Sequence, residues 1–531
     1  MTMTIINQNN SPGDGRGVLH PRTRQDLQTR VVTGKSSGGF ERAATGIVGL
    51  DQILGGGFPR NRMYLLEGNP GAGKTTLALQ FLLEGARRGE SGVYATLSES
   101  DEELRDVARS HGWSLDEITV CDLQASEESL KADSQYTLFH PSEIELSETT
   151  RAVIEAVERV NPTRVVFDSL SEMRLLARDS LRYRRQILAL KHYLTARGCT
   201  VLLLDYPAGA SGDFQLQSLA HGVLTLEHHS PEYGSQRRRL RVQKVRGVAF
   251  HEGYHDFNIS TGGLEVYPRL VAAEHRTAGE EEIISSGLPE LDTLLGGGLP
   301  RGSSAILLGP SGVGKSVIST QYVVAAAERG EASAIYLFDE SPTTWSRRAA
   351  GLELDAAPHL ASGRIKLQQV DPAELAPGEL AHIIRQEVSE RAVKVVVIDS
   401  LNGYSQGMPE ERFLTLHLHE LLSYLNQQGV LTILALAQHG LVGTGVESPI
   451  ELTYLSDAVI LLRYFEAFGQ IRQAISVVKK RTGNHERSVR ELRLGPAVRV
   501  GDRIRQFQGI LAGQLVYQGS DRGPLLEIGD E

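Results

Sequence analysis

One eight-residue pattern occurs twice in this chain of 531 residues and restricts what the chain can fold into. The pattern G-x-x-x-x-G-K-[ST] spans residues 68–75 and again residues 309–316. Each copy follows a short apolar run and precedes a helix-like stretch, which is the strand–loop–helix context in which the pattern binds phosphate. Because both copies share this context, the sequence predicts two phosphate-binding loops rather than two glycine-rich turns.

The two loops belong to a longer internal repeat. Residues 45–60 and 286–301 share an early glycine, a Leu-Asp pair, three consecutive glycines and a Pro-Arg end, all in the same order. The loop lysines, Lys74 and Lys315, keep the same separation of 241 residues. A period of this length is the size of a whole domain, and 531 residues are too many for one hydrophobic core. The sequence therefore predicts a tandem duplication.

Short runs of valine, isoleucine and leucine alternate with longer helix-like segments within each repeat. This alternation predicts an α/β fold with a mainly parallel sheet flanked by helices. Nucleotide is then expected at the carboxyl ends of the strands. We expect four regions: a disordered N-terminal tail over 1–40, a first domain over 41–265, a second domain over 266–500 and a C-terminal extension over 501–531.

The composition bears on location and partners. The formal net charge of -10 disfavours indiscriminate nucleic-acid binding. No apolar run reaches the length of a membrane span, and the polar N-terminal residues lack the apolar core of a signal peptide. Cys121 and Cys199 are the only cysteines and have no metal-ligand spacing, so we expect a reducing, cytoplasmic location.

Each loop supplies the groups that a nucleoside triphosphate requires. Backbone N–H groups of the loop wrap the phosphates, the lysine reaches the outer phosphates, and the hydroxyl after it ligates Mg²⁺. We therefore predict ATP and Mg²⁺ as ligands. The predicted nucleotide-binding residues are Gly68, Gly71, Gly73, Lys74, Thr75 and Thr76 in the first repeat, and Gly309, Gly312, Gly314, Lys315 and Ser316 in the second.

An apolar run that ends in Asp-Ser follows each loop, at residues 164–169 and 394–400. A buried strand that delivers an aspartate to the edge of the sheet can order the Mg²⁺ shell opposite the loop lysine. Buried strands often end in aspartate, and it is the pairing with an upstream phosphate loop that favours a functional interpretation. The predicted metal-binding residues are Thr75, Asp168, Ser316 and Asp399.

Hydrolysis also requires a group that positions or deprotonates the attacking water. Glu99 and Glu340 follow the next strand of each repeat and keep the 241-residue spacing, and Asp339 adds a second carboxylate in the second repeat. A structural interpretation exists as well, because Ser100 and Ser341 are typical helix-capping residues. The two interpretations are compatible, since a serine can cap a helix while the preceding glutamate faces the phosphate.

Two basic pairs lie near the ends of the repeats, Lys244 with Arg246 and Lys479 with Arg481. Alternate residues of a strand share a face, so each pair points in one direction. A cation that meets a transferring phosphoryl group is often supplied by a neighbouring subunit. The alternative is a solvated basic strand edge that blunts aggregation, and we interpret the arginines at 237–239 in that way.

Residues 41 to about 515 resemble the KaiC family of ATPases. The matching segments are 45–51, both phosphate loops, both Asp-Ser ends, 244–247, 457–464 and 479–481. The resemblance implies two tandem RecA-like P-loop domains and a homohexamer with ATP at the subunit interfaces. It also implies that Lys244, Arg246, Lys479 and Arg481 reach the phosphates of the neighbouring subunit.

The resemblance further implies a pair of catalytic glutamates in each domain. Glu99, Asp339 and Glu340 align with these pairs, whereas Ser98 replaces the first member in the first domain. A single carboxylate predicts slow turnover there. We therefore expect the first loop to hold ATP mainly to assemble the ring, with faster chemistry in the second domain.

The family's clock members also phosphorylate an adjacent Ser-Thr pair in the second domain, and the resemblance places Thr453 and Tyr454 at those positions. The tyrosine oxygen lies much farther from the backbone, so the same geometry cannot phosphorylate Tyr454. Serine/threonine autokinase activity at Thr453, or at Ser448 or Ser456 nearby, is therefore one prediction. An ordinary interface role for Thr453 is the other.

Two further classes of function stay open. A RecA-like DNA-dependent motor or recombinase would need basic loops near the ring axis, and residues 438–449 contain neither lysine nor arginine. A nucleotide-switched scaffold would assemble with little turnover. For the ATPase interpretation we expect self-association and regulatory protein partners, without nucleic acid or membrane.

Overall fold

A computed structural model of the chain describes residues 40–123, 141–177, 179–207, 215–275, 282–406, 414–438, 454–511 and 516–518. All of these residues belong to one compact unit that begins at Phe40. The predicted N-terminal tail therefore lies outside the described residues, apart from Phe40 itself. The predicted domain limits at 265 and 500 stay predictions.

The first repeat supplies eleven strands in its described residues. They are β1 Arg42–Ala43, β2 Phe58–Pro59, β3 Met63–Gly68, β4 Gly92–Thr96, β5 Ile118–Asp122, β6 Arg164–Asp168, β7 Thr200–Asp205, β8 Gly222–His229, β9 Arg237–Val245, β10 Tyr254–Ser260 and β11 Gly263–Tyr267. The described helices of this repeat are α1 Val48–Ile53, α2 Lys74–Arg87, α3 Asp101–Ser110, α4 Pro141–Val160, α5 Leu170–Ala177, α6 Ser180–Ala196 and α7 Gln215–Leu219. A 3₁₀ turn, Ala272–His275, leads towards the second repeat.

The second repeat follows the same plan. Its described strands are β12 Ile283–Ile284, β13 Leu299–Pro300, β14 Ser304–Gly309, β15 Ser333–Leu337, β16 Ile365–Gln369, β17 Val395–Asp399, β18 Leu431–Ala437, β19 Ala458–Ala467, β20 Gln470–Lys480, β21 Arg490–Leu494, β22 Val498–Arg503, β23 Phe507–Gln508 and β24 Val516–Tyr517. Its described helices are α8 Pro289–Leu294, α9 Lys315–Glu328, α10 Pro342–Gly351, α11 Ala357–Ala361, α12 Pro377–Arg391, α13 Leu401–Gln406 and α14 Leu414–Gln427.

Each repeat is built on one nine-stranded sheet. The first runs β11–β10–β9–β8–β3–β7–β6–β4–β5, and the second runs β22–β21–β20–β19–β14–β18–β17–β15–β16. Pairing is parallel from β8 to β5 and from β19 to β16, and antiparallel across the remaining three strands of each sheet. The two sheets therefore have the same strand order when equivalent strands of the two repeats are matched.

The central strands are continuous apolar runs because helices cover both faces of each sheet. In β6 and β17, every residue is buried. One face of the first sheet packs against α1–α3 around Leu50 and Phe81, and the other packs against α5 and α6 around Met173 and Ile187. The arrangement confirms the predicted fold class: tandem RecA-like α/β domains with mainly parallel sheets.

Within the described residues, no helix combines the length and the apolar character that a membrane crossing requires.

Candidate active sites

The first phosphate loop connects β3 to α2 at the carboxyl edge of the sheet. Gly73 precedes α2 with a positive φ of 95°, and a Cβ there would lie 2.7 Å from Cδ1 of Ile259. Lys74 begins the helix and folds its ammonium group back over the loop, where Nζ donates to the carbonyl oxygens of Gly68 at 2.6 Å and Asn69 at 3.2 Å. The loop therefore places its lysine beside the exposed backbone that would wrap a phosphate.

The second phosphate loop has the same construction between β14 and α9. Gly314 has a φ of 110°, and a Cβ there would lie 2.8 Å from Cδ1 of Leu494. Lys315 Nζ donates to the carbonyl oxygens of Gly309 at 2.9 Å and Pro310 at 2.7 Å. Burial lowers the pKa of both loop lysines, and nearby carboxylates oppose that shift.

Each predicted metal-binding aspartate lies beside the loop hydroxyl of its own repeat. Thr75 Oγ1 is 3.4 Å from Oδ2 of Asp168, and Ser316 donates a hydrogen bond to Asp399. Both aspartates are buried, and this burial raises the pKa of each carboxyl.

These donors fit Mg²⁺, which prefers hard oxygen ligands and takes only one or two from the protein when phosphates supply others. Among the described residues, no cluster of three or more His, Cys, Asp or Glu side chains could hold a metal alone. A hydroxyl with one neighbouring carboxylate therefore suits an ion that arrives with a nucleotide better than a permanently bound ion.

Glu99 lies between β4 and α3, and one of its carboxylate oxygens, Oε2, is buried without a hydrogen-bond partner. Burial, followed by the charge of Asp168, raises the pKa of the Glu99 carboxyl. The structural interpretation of this segment also holds, because Ser100 and Glu103 form a complete capping box at the start of α3. The helix cap thus leaves the Glu99 side chain free to face the phosphate loop.

The second repeat brings two carboxylates and one unpredicted cation together. Ser400 Oγ donates to Oδ2 of Asp339, and Arg348 from α10 forms an ion pair with Oε2 of Glu340. The other oxygen of Glu340, Oε1, is buried without a partner. The residue of the first repeat at the position of Arg348 is Val107, so only the second site has this ion pair.

Tyr94 is a further contributor that the sequence analysis missed. Its fully buried hydroxyl donates to Oδ2 of Asp168 at 2.6 Å. The corresponding position on β15 is Ile335, which has no hydroxyl. A tyrosine in an apolar strand is usually a core residue. The contact becomes evident only once β4 and β6 are known to be neighbouring strands, which places Tyr94 beside Asp168.

The basic pairs are held away from the loops of their own repeats. Lys244 Nζ donates to the carbonyl oxygen of Gln217, and Arg246 Nη2 donates to that of Ser218 at 2.6 Å. Arg481 contacts Asp457 Oδ1 at 3.3 Å and donates to the carbonyl oxygen of Tyr454, while Lys479 Nζ donates to that of Ser456 at 2.8 Å.

The sheet register puts these pairs at the amino-terminal ends of the parallel strands. Lys244 is opposite Val223, and Val223 is opposite Leu65, three residues before Gly68. With about 3.3 Å per residue along a strand and about 4.8 Å between neighbouring strands, the Lys244 backbone is about 14 Å from the start of its own loop. Lys479 lies at the same level of the second sheet, opposite Val459. Each pair therefore lies near the edge of the sheet opposite to the phosphate loop of its own domain.

The predicted phosphosite Thr453 and the alternative Ser448 lie outside the described residues. The other alternative, Ser456, is fully buried. Tyr454 is exposed over about half of its surface, and its carbonyl oxygen accepts from Arg481.

Two phosphate loops at the carboxyl edges of RecA-like sheets, each with an aspartate beside its hydroxyl, define a tandem P-loop nucleotide-binding protein. The family model described as "ATPase: KaiC" matches residues 43–271 and 284–498. The chain therefore belongs to the KaiC family of ATPases, and its two domains bind nucleotide.

Full-length relatives agree with this assignment. The chain is 27% identical over 492 residues to "Circadian clock protein KaiC3" of Synechocystis sp., covering 90% of this chain and 95% of the relative. It is 26% identical over 487 residues to "Circadian clock oscillator protein KaiC" of Picosynechococcus sp., covering 90% and 92%. The family resemblance that the sequence indicated is confirmed.

Proposed function

We propose that the protein is a Mg²⁺-dependent ATPase that works as a homohexamer with ATP held between adjacent subunits. The observation that carries this proposal is the position of the basic pairs, whose backbone lies about 14 Å from the start of the loop of the same domain. A neighbouring subunit that sets its basic edge against the loop would supply Lys244 and Arg246, or Lys479 and Arg481, to the phosphates. Cations provided from a second subunit are a recurrent device in phosphoryl transfer.

Each chain's own residues then have distinct tasks. Lys74 and Lys315 bind the β- and γ-phosphates, while the glycine-rich backbone wraps them. Thr75 and Ser316, with the help of Asp168 and Asp399, would hold Mg²⁺, and the ion would neutralise phosphate charge when bound.

The carboxylates after the next strand act on the attacking water. Glu99 in the first site, and Asp339 with Glu340 in the second, orient the water and accept its proton as its oxygen attacks the γ-phosphorus and the bond from that phosphorus to the departing ADP breaks. The first site has Ser98 where the second has Asp339, so we infer slower hydrolysis there and a main role of its ATP in ring assembly. The first domain would in this respect act as a nucleotide-switched scaffold.

Serine/threonine autokinase activity is a second proposed activity of the second domain. It is supported by the contact between Arg481 and the carbonyl oxygen of Tyr454. If Arg481 reaches the neighbour's phosphates, this contact brings the segment after Thr453 towards the same phosphates. The Thr453 hydroxyl could then replace water as the nucleophile.

The biological role follows from the relatives only as a proposal. Because the names of the matching full-length relatives refer to the circadian clock, we propose a regulatory, clock-like output through partner proteins in the cytoplasm. A DNA-dependent motor is the competing function, and it would require hydrolysis to respond to DNA.

One incubation tests the chemistry. The full chain is incubated with γ-labelled ATP, with and without Mg²⁺ and single-stranded DNA, and both free phosphate and protein-bound label are counted. We expect Mg²⁺-dependent free phosphate that DNA does not change, and protein label that Thr453→Ala removes. Release of free phosphate without labelled protein would contradict the autokinase activity. Strong stimulation of hydrolysis by DNA would favour a DNA-dependent motor.

A mixing experiment tests the shared site. Lys244→Ala and Glu99→Gln chains are combined in a background carrying Asp339→Asn and Glu340→Gln, which silences the second domain. Each parent should be slow, and the mixture should recover activity because an intact Glu99 meets an intact Lys244 across an interface. A mixture no faster than the mean of its parents would contradict catalysis across subunits.

A further inference from the structure

A buried pair of carboxylates lies directly before the first phosphate loop. Glu67 is the last residue before Gly68 on β3, and Asp205 is its partner at the end of β7. Only 5% of Glu67 and 1% of Asp205 is exposed. Two buried acids on neighbouring strands carry a large desolvation cost, so their presence calls for a physical explanation.

The duplicated domain shows that the fold itself does not require these acids. The corresponding neighbours on β14 and β18 are Leu308 and Leu436, which pair in the same register. Their side chains are also buried, within the core of the second sheet. A sheet of identical order therefore forms with leucine at both positions, and the acids of the first repeat are a feature of its site.

The two acids are hydrogen-bonded to different elements. Asp205 accepts from Ser171 Oγ and from Arg174 Nη2, both at 2.6 Å, on α5. Glu67 instead accepts from the side-chain amide of Gln217 on α7, at 3.1 Å to Oε1 and 2.9 Å to Oε2. The carboxylate next to the phosphate loop is thus bound to the short helix α7.

The same helix holds the basic pair of the first repeat. The backbone oxygen of Gln217 accepts from Lys244 Nζ, and that of Ser218 accepts from Arg246 Nη2. A continuous chain of contacts therefore runs from Gly68 through Glu67 and Gln217 to Lys244. It joins the amino-terminal edge of the sheet to the phosphate loop at the opposite edge.

We propose that Glu67 is a positioning residue that, through Gln217, couples the phosphate loop of one subunit to the basic pair that this subunit presents to its neighbour. The inference rests on the proposed action of Lys244 and Arg246 across the interface. A shift of the loop on nucleotide binding moves Glu67, because the two are adjacent in the chain, and Gln217 passes that shift to α7. Successive sites of the first ring are thereby linked. The second ring has no such link through this position, because the Leu308 side chain cannot accept a hydrogen bond.

The test uses Glu67→Leu, which installs the residue that the second domain tolerates, in full-length chains carrying Asp339→Asn and Glu340→Gln. We expect about a tenfold lower kcat and a Hill coefficient that falls towards 1. The nucleotide affinity should stay within about twofold of the parent, because Glu67 acts through Gln217 and does not contact ATP. Gln217→Ala should reproduce this split, and the double variant should be no worse than either single variant. Gln243→Ala is the matched control, since Gln243 adjoins Lys244 but bonds to Thr225 Oγ1 at 2.7 Å.

Mixing with Glu99→Gln chains locates the defect. A Glu67→Leu subunit has a sound loop and a misplaced basic pair, so a neighbour with Glu99→Gln and an intact pair should rescue it. Random equimolar assembly should give about a quarter of the parent rate, because half of the subunits keep Glu99 and half of those meet an intact pair.

Three results would overturn the inference. An unchanged kcat and Hill coefficient in Glu67→Leu would remove the relay. If Lys244→Ala is rescued by the same mixing and Glu67→Leu is not, the fault lies in the subunit's own loop. If neither is rescued, catalysis across the interface fails, and the relay fails with it. Size-exclusion chromatography of each variant with ATP checks that the compared chains are assembled. If Glu67→Leu does not fold, Gln217→Ala replaces it in the test, because Gln217 is only half-buried.

Discussion

Tyr94 distinguishes the first nucleotide site from the second at the scale of single residues. Its hydroxyl holds one oxygen of Asp168, the carboxylate assigned to the Mg²⁺ shell, while Ile335 offers nothing to Asp399 at the same level of the sheet. Groups that orient a metal-associated carboxylate commonly contribute 10- to 100-fold to metal affinity or activity. We therefore expect Mg²⁺ binding at the first site to depend on a hydrogen bond that the second site lacks.

Tyr94→Phe should raise the Mg²⁺ concentration for half-maximal hydrolysis at the first site about tenfold. The phenyl ring preserves packing, so only the orientation of Asp168 is lost. Hydrolysis is measured against Mg²⁺ in chains carrying Asp339→Asn and Glu340→Gln. Tyr64→Phe is the matched control, because its equally buried hydroxyl donates to the carbonyl oxygen of Pro59 at 2.7 Å, away from the loop. Equal shifts in the two variants would show a general effect of core hydroxyls.

The sequence predicted the loop residues and missed their supporting partners, for a physical reason. A phosphate loop is contiguous, so Lys74, Thr75 and the glycines are readable from spacing alone. Tyr94 and Arg348 act on Asp168 and Glu340 through contacts between different elements. A tyrosine is typical of a core strand and an arginine of a solvated helix. Only the packing of these elements in the fold shows that the two side chains contact site residues.

At the scale of elements, β6 begins with a fully buried arginine. Arg164 Nε donates to Glu90 Oε2 at 2.6 Å, and Nη1 donates to the carbonyl oxygens of Ala44 at 2.7 Å and Phe81 at 2.6 Å. The guanidinium also lies 4.6 Å from the centroid of the Phe81 ring. One side chain thus ties the strand that carries Asp168 to the helix that carries Lys74.

Arg164→Met should lower the free energy of unfolding of the first domain by about 3 kcal/mol, because it leaves Glu90 Oε2 and two carbonyl groups without a buried donor, while Arg60 still pairs with Glu90 Oε1. Denaturant unfolding followed by circular dichroism measures the change. Arg151→Ala provides the control, since Arg151 and Glu155 form an exposed pair at 3.6 Å and should contribute less than about 0.5 kcal/mol. Comparable losses in both variants would show that burial of the Arg164 pair is not what matters.

His255 on β10 makes the stability of this region sensitive to acid. The ring is buried, with Nδ1 accepting from the backbone N–H of Arg269 at 2.8 Å and Nε2 bonded to the carbonyl oxygen of His251 at 3.1 Å. Burial lowers the pKa of His255 to about 4 from the ordinary 6.5. Because the unfolded chain binds the proton more readily, stability present above pH 6.5 is lost as the pH falls towards 4.

At pH 5, this difference in pKa corresponds to about 2 kcal/mol of lost unfolding free energy relative to pH 7.5. His255→Gln should lower stability at pH 7.5 and flatten its decline between pH 7.5 and pH 5 by about that amount. Unfolding in urea at both pH values measures it. His192→Gln, a change on the surface of α6, should leave the slope as it is, and an equally steep decline in His255→Gln would assign the acid sensitivity to other groups.

At the scale of the whole molecule, the two domains contact each other through the antiparallel end of the first sheet. Arg237 Nη2 donates to the carbonyl oxygens of Pro372 at 2.7 Å and Ala373 at 3.2 Å, and Asp256 Oδ2 accepts from the backbone N–H of Gly378 at 2.7 Å. The prediction of a solvated arginine run at 237–239 was wrong for Arg237, which donates to the second domain. Arg238, in contrast, bonds to Gln236 in its own domain. In an isolated first domain the Arg237 side chain would be solvated, and its contacts form only when the second domain is present.

The duplication could be predicted from the sequence because the repeats retain their phosphate loops, their Leu-Asp pairs and their three consecutive glycines. The different use of the two copies is less visible. It lies in pairs such as Glu67 with Asp205 against Leu308 with Leu436, which are distant in the chain and become neighbours only through strand order. Sequence spacing thus defines what the copies share, and strand pairing defines how they differ.

The proposed division of labour makes a prediction for assembly. Lys74→Ala should abolish ATP-dependent hexamer formation, whereas Lys315→Ala should leave it largely intact and reduce hydrolysis. The reason is that a ligand held between subunits stabilises the assembly only while it stays bound, and the single carboxylate Glu99 beside Ser98 favours slow turnover in the first ring. Size-exclusion chromatography with light scattering, with and without ATP, measures the assembled fraction.

Lys366→Ala is the control for the loss of a lysine, because Lys366 pairs with Glu387 on the surface of the second domain. It should assemble as the parent does. Equal loss of assembly in Lys74→Ala and Lys315→Ala would contradict the division, since both rings would then depend on bound ATP alike. In that case the extra carboxylate and the Arg348 pair of the second site would tune chemistry alone, and assembly would follow from total nucleotide occupancy.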